Sequence, residues 1–146
     1  MKRPADLEDV AFWPVSRLAV LLRTKQVTSV ELTRMYLARL HRFDGQVHAV
    51  VTFTDSLALA AAVRADREIA AGKYRGRLHG IPYGAKDLLA TAGVPTTWGA
   101  EPFRKQVFDY DATVIRKLRD AGAILLAKLA MVELAGSFGY NNADAS

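Results

Sequence analysis

Residues 76–100 of the chain read GRLHGIPYGAKDLLATAGVPTTWGA and place one lysine, Lys86, among glycines, prolines and apolar side chains. The middle of this stretch, residues 81–86, predicts a short strand. Pro82 places it at a strand start or a sheet edge, because proline cannot donate a ladder hydrogen bond. Residues 90–103 lack periodicity and are rich in turn formers, which is typical of a loop that binds something. Apolar neighbours at a strand end lower the pKa of a lysine, because desolvation disfavours its charged form, and Lys86 could then act as a base.

The residues beside Lys86 exclude one familiar use of a lysine in a glycine-rich segment. A phosphate-binding loop needs Gly-Lys followed by Ser or Thr, whereas Ala85 and Asp87 flank this lysine. A buried lysine could act as a base or form a Schiff base. A plainer interpretation stays open, in which Lys86 pairs with Asp87 or reaches solvent. The histidines show no metal-ligand spacing, so we expect neither a metal nor a cofactor, and we interpret His41 and His48 as surface or packing residues.

The sequence around this segment alternates helical and extended patterns. Helices are predicted over residues 14–26, 28–43, 56–72 and 111–122, and strands over residues 47–53, 81–86 and 123–129. Thr28 and Glu31 have the spacing of a capping box, and the turn-forming pair that starts at Asp44 is expected to end that helix. Asp55 and Asp111 are expected to cap the two later helices. The order of elements predicts one domain of the α/β class.

Composition favours an ordinary globular protein. The chain has 146 residues, no cysteine and a net charge of +5, from 20 Lys and Arg against 15 Asp and Glu. The densest basic group is mixed with acids, which favours a solvated helix face over a nucleic-acid surface; it comprises Arg64, Arg67, Lys73, Arg75 and Arg77. No run approaches the roughly 18 apolar residues of a membrane span, and the charged start lacks a signal-peptide core. We therefore expect a cytoplasmic protein that contacts no membrane.

Residues 80–98, GIPYGAKDLLATAGVPTTW, resemble the signature segment of the amidase signature family, which comprises serine hydrolases of amide carbon–nitrogen bonds. That family reads Gly-Ile-Pro, a few apolar residues, Lys-Asp, a glycine-containing turn and Thr-Thr, and each landmark is present. Residues 111–135, DATVIRKLRDAGAILLAKLAMVELA, resemble the family's next helix and strand, and residues 27–40 resemble its N-terminal helix. The resemblance covers most of residues 16–138.

The resemblance implies an α/β fold with a mixed sheet flanked by helices, of which this chain is the incomplete N-terminal part. All 146 residues then form the N-terminal portion of a single amidase domain. Within it, residues 1–13 are a loose lead-in, residues 14–72 a helical region with one strand, and residues 76–146 the start of the signature core.

The resemblance also assigns site residues. It makes Lys86 the catalytic lysine of a Ser–Ser–Lys triad, in which one serine attacks the amide carbonyl and a second relays its proton. The neutral lysine activates that relay and later returns the proton to the leaving amine. By the same resemblance the substrate is lined by Met131, Ala135, Gly136 and Ser137.

Several departures from the family pattern limit this assignment. Ala127 and Ala130 stand where the family has Gly and Asn. Lys128 fits the pattern and has two open interpretations, a structural lysine at a strand end and a site residue. The glycine-rich stretch that carries the family's two serines does not occur; the serines of this chain are Ser16, Ser29, Ser56, Ser137 and Ser146. We therefore expect the 146 residues alone to be truncated before the catalytic serines and inactive.

Three functions remain open on the sequence alone. The first is a free amidase whose partner is a small-molecule amide, with oligomers allowed. The second is the amidase-type subunit of a glutamine-dependent tRNA amidotransferase. The third, of another class, is a non-catalytic basic interaction module, which lacks the aromatic residues interleaved with basic ones that nucleic-acid binding favours. We expect no nucleic-acid partner for this chain.

Overall fold

The computed structural model describes residues 2–136 as four α-helices and three strands. The helices are α1 (Val15–Arg23), α2 (Ser29–Val47), α3 (Asp55–Ala70) and α4 (Thr113–Asp120). The strands are β1 (Val50–Phe53), β2 (Pro82–Lys86) and β3 (Ile124–Leu129). Three short 3-10 helices complete the described regular structure, at Leu7–Val10, Glu101–Phe103 and Glu133–Ala135.

The three strands form one mixed sheet in the order β1-β3-β2. β2 runs parallel to β3, whereas β1 runs antiparallel to it. The α/β class, with a mixed sheet flanked by helices, is thus confirmed. Pro82 opens the edge strand β2, as predicted, and Lys86 closes it opposite Leu129 of β3. The preceding residue, Ala85, lies opposite Lys128.

Helix α2 begins as predicted but ends later. The Thr28 side chain accepts from the Glu31 amide and the Glu31 carboxylate accepts from the Thr28 amide, which confirms the capping box. The predicted end at Asp44 is wrong, because α2 continues to Val47. Since the Asp44 carboxylate accepts the amides of Ala49 and Val50, it shapes the turn after the helix instead.

The predicted caps of α3 and α4 are also wrong. Asp55 is the first residue of α3, and its carboxylate pairs with His41 at 2.8 Å. Asp111 precedes the cap position of α4; its carboxylate accepts the Ala92 amide at 2.8 Å and pairs with Arg119. Each acid therefore joins two elements of the fold, and such a tertiary partner is not visible in the local sequence pattern.

The core has two parts. The first lies around α1 and α2 and extends to Val10, which is fully buried, so the lead-in is less loose than predicted. The second packs the small residues of α3 against β3, as their size predicts; it comprises Leu37, Ala58, Ala62, Ala65, Ile124, Leu126 and Ala127. On α4, Ile115 is buried, whereas Val114 is 44% exposed.

Candidate active site at the end of strand β2

Lys86 is exposed at the last position of the edge strand β2. The desolvated surroundings of apolar neighbours are therefore not observed. Within residues 2–136 its ammonium group has no hydrogen-bond or ion-pair partner, so the pairing of Lys86 with Asp87 is not found either. Of the plainer alternatives, a lysine that reaches solvent is the one that the described residues show.

Asp87 instead pairs with the second lysine of the region, Lys128. Both side chains are completely buried, and the Lys128 Nζ lies 3.2 Å from the Asp87 Oδ1. The Nζ also donates to the Thr96 Oγ1 at 2.6 Å and to the Pro95 carbonyl at 3.4 Å. Burial lowers the pKa of Lys128, while the Asp87 carboxylate acts in the opposite direction. Of the two interpretations of Lys128, the structure therefore supports the structural lysine at a strand end.

The other carboxylate oxygen of Asp87 holds the loop that follows the sheet. Its Oδ2 accepts the Thr97 amide at 3.0 Å and also the Thr97 hydroxyl. The Asp87 backbone carbonyl accepts the Trp98 amide at 3.2 Å, and its own amide donates to Leu129 at 2.9 Å. Oδ1 has no hydrogen bond within the described chain, so its ion pair with Lys128 is its compensation.

The sequence interpretation missed the pairing of Asp87 with Lys128 and the contacts of Thr96 and Thr97, although one signal pointed to the ion pair. Side chains alternate along a strand, so residues 85 and 87 share a face. Ala85 and Asp87 are indeed buried, and Gly84 and Lys86 are exposed. An acid on the inner face needs a buried cation, and the apolar stretch of β3 contains only one, Lys128.

Backbone strain gathers where this loop meets the segment after β3. Trp98, Leu134 and Ala135 have φ values of 56°, 50° and 55°, a left-handed conformation that costs a non-glycine residue about 1 kcal/mol or more. The Leu134 amide donates to the Trp98 carbonyl at 2.8 Å, which ties the two strained segments together. Strained backbone of this kind clusters at functional sites.

The residues expected to line a substrate lie partly in this strained segment. Met131 is buried, and a Cβ added at Gly99 would lie 2.8 Å from its carbonyl oxygen, so the two backbones touch. Ala135 and Gly136 are exposed. Ser137 lies outside the described residues.

The histidines His41 and His48 and the serine Ser29 have packing, surface or hydrogen-bonding roles in the fold. His41 stacks on Phe53, and His48 is exposed at the C-cap of α2, so both are the packing and surface residues expected. Ser29 is buried and its hydroxyl donates to the Gly80 carbonyl at 2.9 Å. Residues 2–136 hold no cluster of three or more His, Asp or Glu that could bind a metal ion. In the same part of the chain, no helix is long and apolar enough to cross a membrane.

Known proteins resemble this chain in sequence over most of its length. The AmiD protein of Mycobacterium bovis is 44% identical over 128 residues, which are 88% of this chain and 27% of that protein. One of the subunits of the glutamyl-tRNA(Gln) amidotransferase of Geobacter sulfurreducens is 45% identical over 123 residues, 84% of this chain and 25% of that protein. The chain thus spans about a quarter of the length of these relatives.

Solved structures lead to the same family. The native peptide amidase of Stenotrophomonas maltophilia matches with a TM-score of 0.83 and 34% identity, over 91% of this chain and 28% of that one. The family model described as Amidase matches residues 31–143, which include β2, the Asp87 network and β3. Since that match covers far more than half of the sequence, the chain belongs to the amidase family, as the signature segment predicts.

Proposed function

We propose that the protein carrying this chain hydrolyses amide bonds and that Lys86 is the base of the reaction. The observation that carries this proposal is the position of Lys86, whose exposed ammonium has no partner within residues 2–136. The nearest acid in sequence, Asp87, is already paired with Lys128. Lys86 is therefore available to serines that the family pattern places after this region.

The proposed reaction runs through an acyl-enzyme. Neutral Lys86 accepts a proton from the relay serine, which accepts the proton of the attacking serine, and the attacking oxygen bonds to the amide carbon. When the carbon–nitrogen bond breaks, the proton passes from Lys86 through the relay to the leaving nitrogen. Water then attacks the acyl group and loses its proton by the same route, so the products are an acid and an amine or ammonia. Nucleophile and relay are proposed to lie outside the described residues.

We further propose that the segment after β3 forms one wall of the substrate pocket. It contains the four residues expected from the resemblance, Met131, Ala135, Gly136 and Ser137. The strained link between Leu134 and Trp98 supports this role, because it fixes the wall against the loop that Asp87 holds.

A hybrid enzyme tests the role of Lys86. Residues 1–136 of this chain replace the matching N-terminal quarter of the Stenotrophomonas peptide amidase, and ammonia release from small primary amides and a peptide amide is measured. We expect the Lys86→Ala hybrid to lose at least about a hundredfold in kcat, because general-base catalysis contributes 10²–10⁴-fold. The matched control is Lys117→Ala, at an exposed lysine on α4.

The isolated chain supplies the complementary measurement. We expect no turnover of simple amides and esters by the 146 residues alone. Turnover that Lys86→Ala abolishes would show that this chain holds its own nucleophile. An active hybrid that tolerates Lys86→Ala would refute the role of Lys86 as the base.

A second candidate function rests on the 45% identity to the amidotransferase subunit of Geobacter sulfurreducens, which is close to the 44% identity to AmiD. In that case glutamine is the amide substrate, and the ammonia released passes to a partner enzyme instead of leaving as product. Ammonia release from glutamine that rises on addition of partner subunits favours this function. Release from simple amides without a partner favours the free amidase.

A further inference from the structure

We propose that the buried ion pair of Asp87 and Lys128, together with Thr96 and Thr97, is a positioning network for Lys86. We call these four residues the clamp. The inference rests on the proposed function of Lys86 as a base, because a base acts only where its nitrogen reaches the proton that it accepts. Of the four, only Asp87 is bonded to Lys86, and the other three act on Lys86 through their contacts with Asp87 and with one another.

Main-chain hydrogen bonds next to the clamp hold the backbone on the C-terminal side of Lys86. The Asp87 amide, which belongs to the peptide group that follows Lys86, donates to the Leu129 carbonyl at 2.9 Å. The carbonyl of the same peptide group, that of Lys86, accepts the Leu89 amide at 3.0 Å. The next carbonyl accepts the Trp98 amide. Hydrogen bonds therefore hold both peptide groups that follow the Lys86 side chain.

Side-chain contacts of the clamp join three separate parts of the chain. Asp87 follows β2, Lys128 belongs to β3, and Thr96 and Thr97 belong to the loop between β2 and α4. Removing one charge of a buried pair leaves the other charge unpaired in a place that water does not reach. Loss of one charge of the pair is therefore expected to loosen the contacts among all three parts.

The clamp also explains why Lys86 stays available. Asp87 is next to Lys86 in sequence, and it would be an obvious ion-pair partner for that lysine. Lys128 holds the Asp87 carboxylate on the inner face of the sheet, whereas Lys86 stands on the exposed face. Without Lys128, the unpaired carboxylate lowers its free energy by turning toward water. That movement shifts the end of β2 and offers Lys86 a counter-ion.

Amide hydrogen exchange of the 146-residue chain tests this coupling. The variants are Lys128→Met, Asp87→Asn and the double variant, with Lys117→Met as the matched control. The readout is the Leu89 amide, which reports on the Lys86 carbonyl. We expect each single variant to raise its exchange rate about tenfold or more relative to the amides of α2, and the double variant to return to within about threefold.

Two outcomes of that experiment overturn the proposal. In the first, the Leu89 amide of the single variants exchanges as fast as in the unaltered chain. In the second, its exchange rate rises only as much as the rates of the α2 amides, which indicates a global loss of stability. Should both single variants fail to fold, Thr96→Val takes their place, because it removes one hydrogen bond of Lys128 and leaves both charges. The same expected and refuting results apply to it.

Kinetics of the hybrid enzyme separate positioning from a purely structural role. Per folded molecule, Asp87→Asn or Thr96→Val is expected to lower kcat about 10- to 100-fold with KM within about twofold, since a base displaced by about 1 Å loses that much. The double variant Asp87→Asn/Lys128→Met is expected to recover most of the kcat. If Lys86→Ala is inactive while the clamp variants keep full kcat, the clamp proposal fails and the role of Lys86 stands. If the Lys86→Ala hybrid stays active, the proposed function fails, and the clamp has no base to position.

Discussion

Replacing Lys128 by methionine is expected to lower the free energy of unfolding by about 3–5 kcal/mol. Both charges of the Asp87–Lys128 pair are completely buried, and breaking such a pair by removing one partner costs about that much. The substitution also removes the hydrogen bond to Thr96 at 2.6 Å. Small protein domains are stable by about 5–15 kcal/mol in total, so the loss ranges from about a fifth of that stability to all of it. The double variant Asp87→Asn/Lys128→Met leaves no buried charge and is expected to lie within about 1 kcal/mol of the unaltered chain.

Urea unfolding followed by tryptophan fluorescence measures these differences. With a slope of about 2 kcal/mol per molar urea, the Lys128→Met midpoint falls by about 1.5–2.5 M. The control Lys117→Met, at an exposed site, is expected to change the free energy of unfolding by less than about 0.5 kcal/mol. A Lys128→Met variant within about 1 kcal/mol of the unaltered chain, or a double variant as unstable as the single one, would refute the reasoning about the buried pair.

Two further predictions concern the buried His79. A Cβ at Gly122 (φ +82°) would overlap the His79 ring, so Gly122→Ala is expected to lower the free energy of unfolding in urea by about 2–4 kcal/mol. Gly72→Ala (φ +78°, with nothing within 4 Å) is expected to lose only about 1 kcal/mol; equal losses contradict the ring contact. Burial lowers the pKa of His79 despite the opposing charge of Glu68, and the Arg75 amide donates to its Nδ1. The unfolded chain therefore binds a proton at His79 more readily than the folded chain does. The stability that the neutral ring provides is expected to be present above a pH of about 6.5 and to fall as the pH drops below that value. A free energy of unfolding that stays constant from a pH of about 7.5 to about 5 contradicts this.

Local patterns predicted the fold better than its boundaries. The strands and helices were predictable because hydrophobic periodicity and capping signals depend on neighbouring residues, as in the capping box of Thr28 and Glu31. The predicted caps were wrong where the acid binds a partner that is distant in sequence. Asp55 pairs with His41 and Asp111 with Arg119, while Asp66 of α3 accepts the Ser29 amide at the start of α2. Such choices depend on tertiary neighbours, which a single stretch of sequence does not contain.

The sequence singles out the candidate lysine but does not predict its environment. The signature segment singled out Lys86, and the strand pattern placed it at the end of β2. Its apolar neighbours in sequence suggested burial, yet a strand directs successive side chains to opposite faces. Ala85 and Asp87 therefore take the inner face, and Lys86 takes the outer one. The alternation of the strand, and not the polarity of the neighbouring residues, decides where this lysine lies.

The two lysines of this site answer different physical demands. A lysine that exchanges protons needs access to its reaction partners, and the exposed face of an edge strand gives Lys86 that access. An acid fixed beside it would turn that lysine into a permanent ion pair unless another cation held the acid. Lys128 holds Asp87 from inside the sheet, where the pair is shielded from water and competing ions. If Lys86 is the base that we propose, the buried lysine matters to it because Lys128 occupies the carboxylate that lies next to Lys86 in sequence.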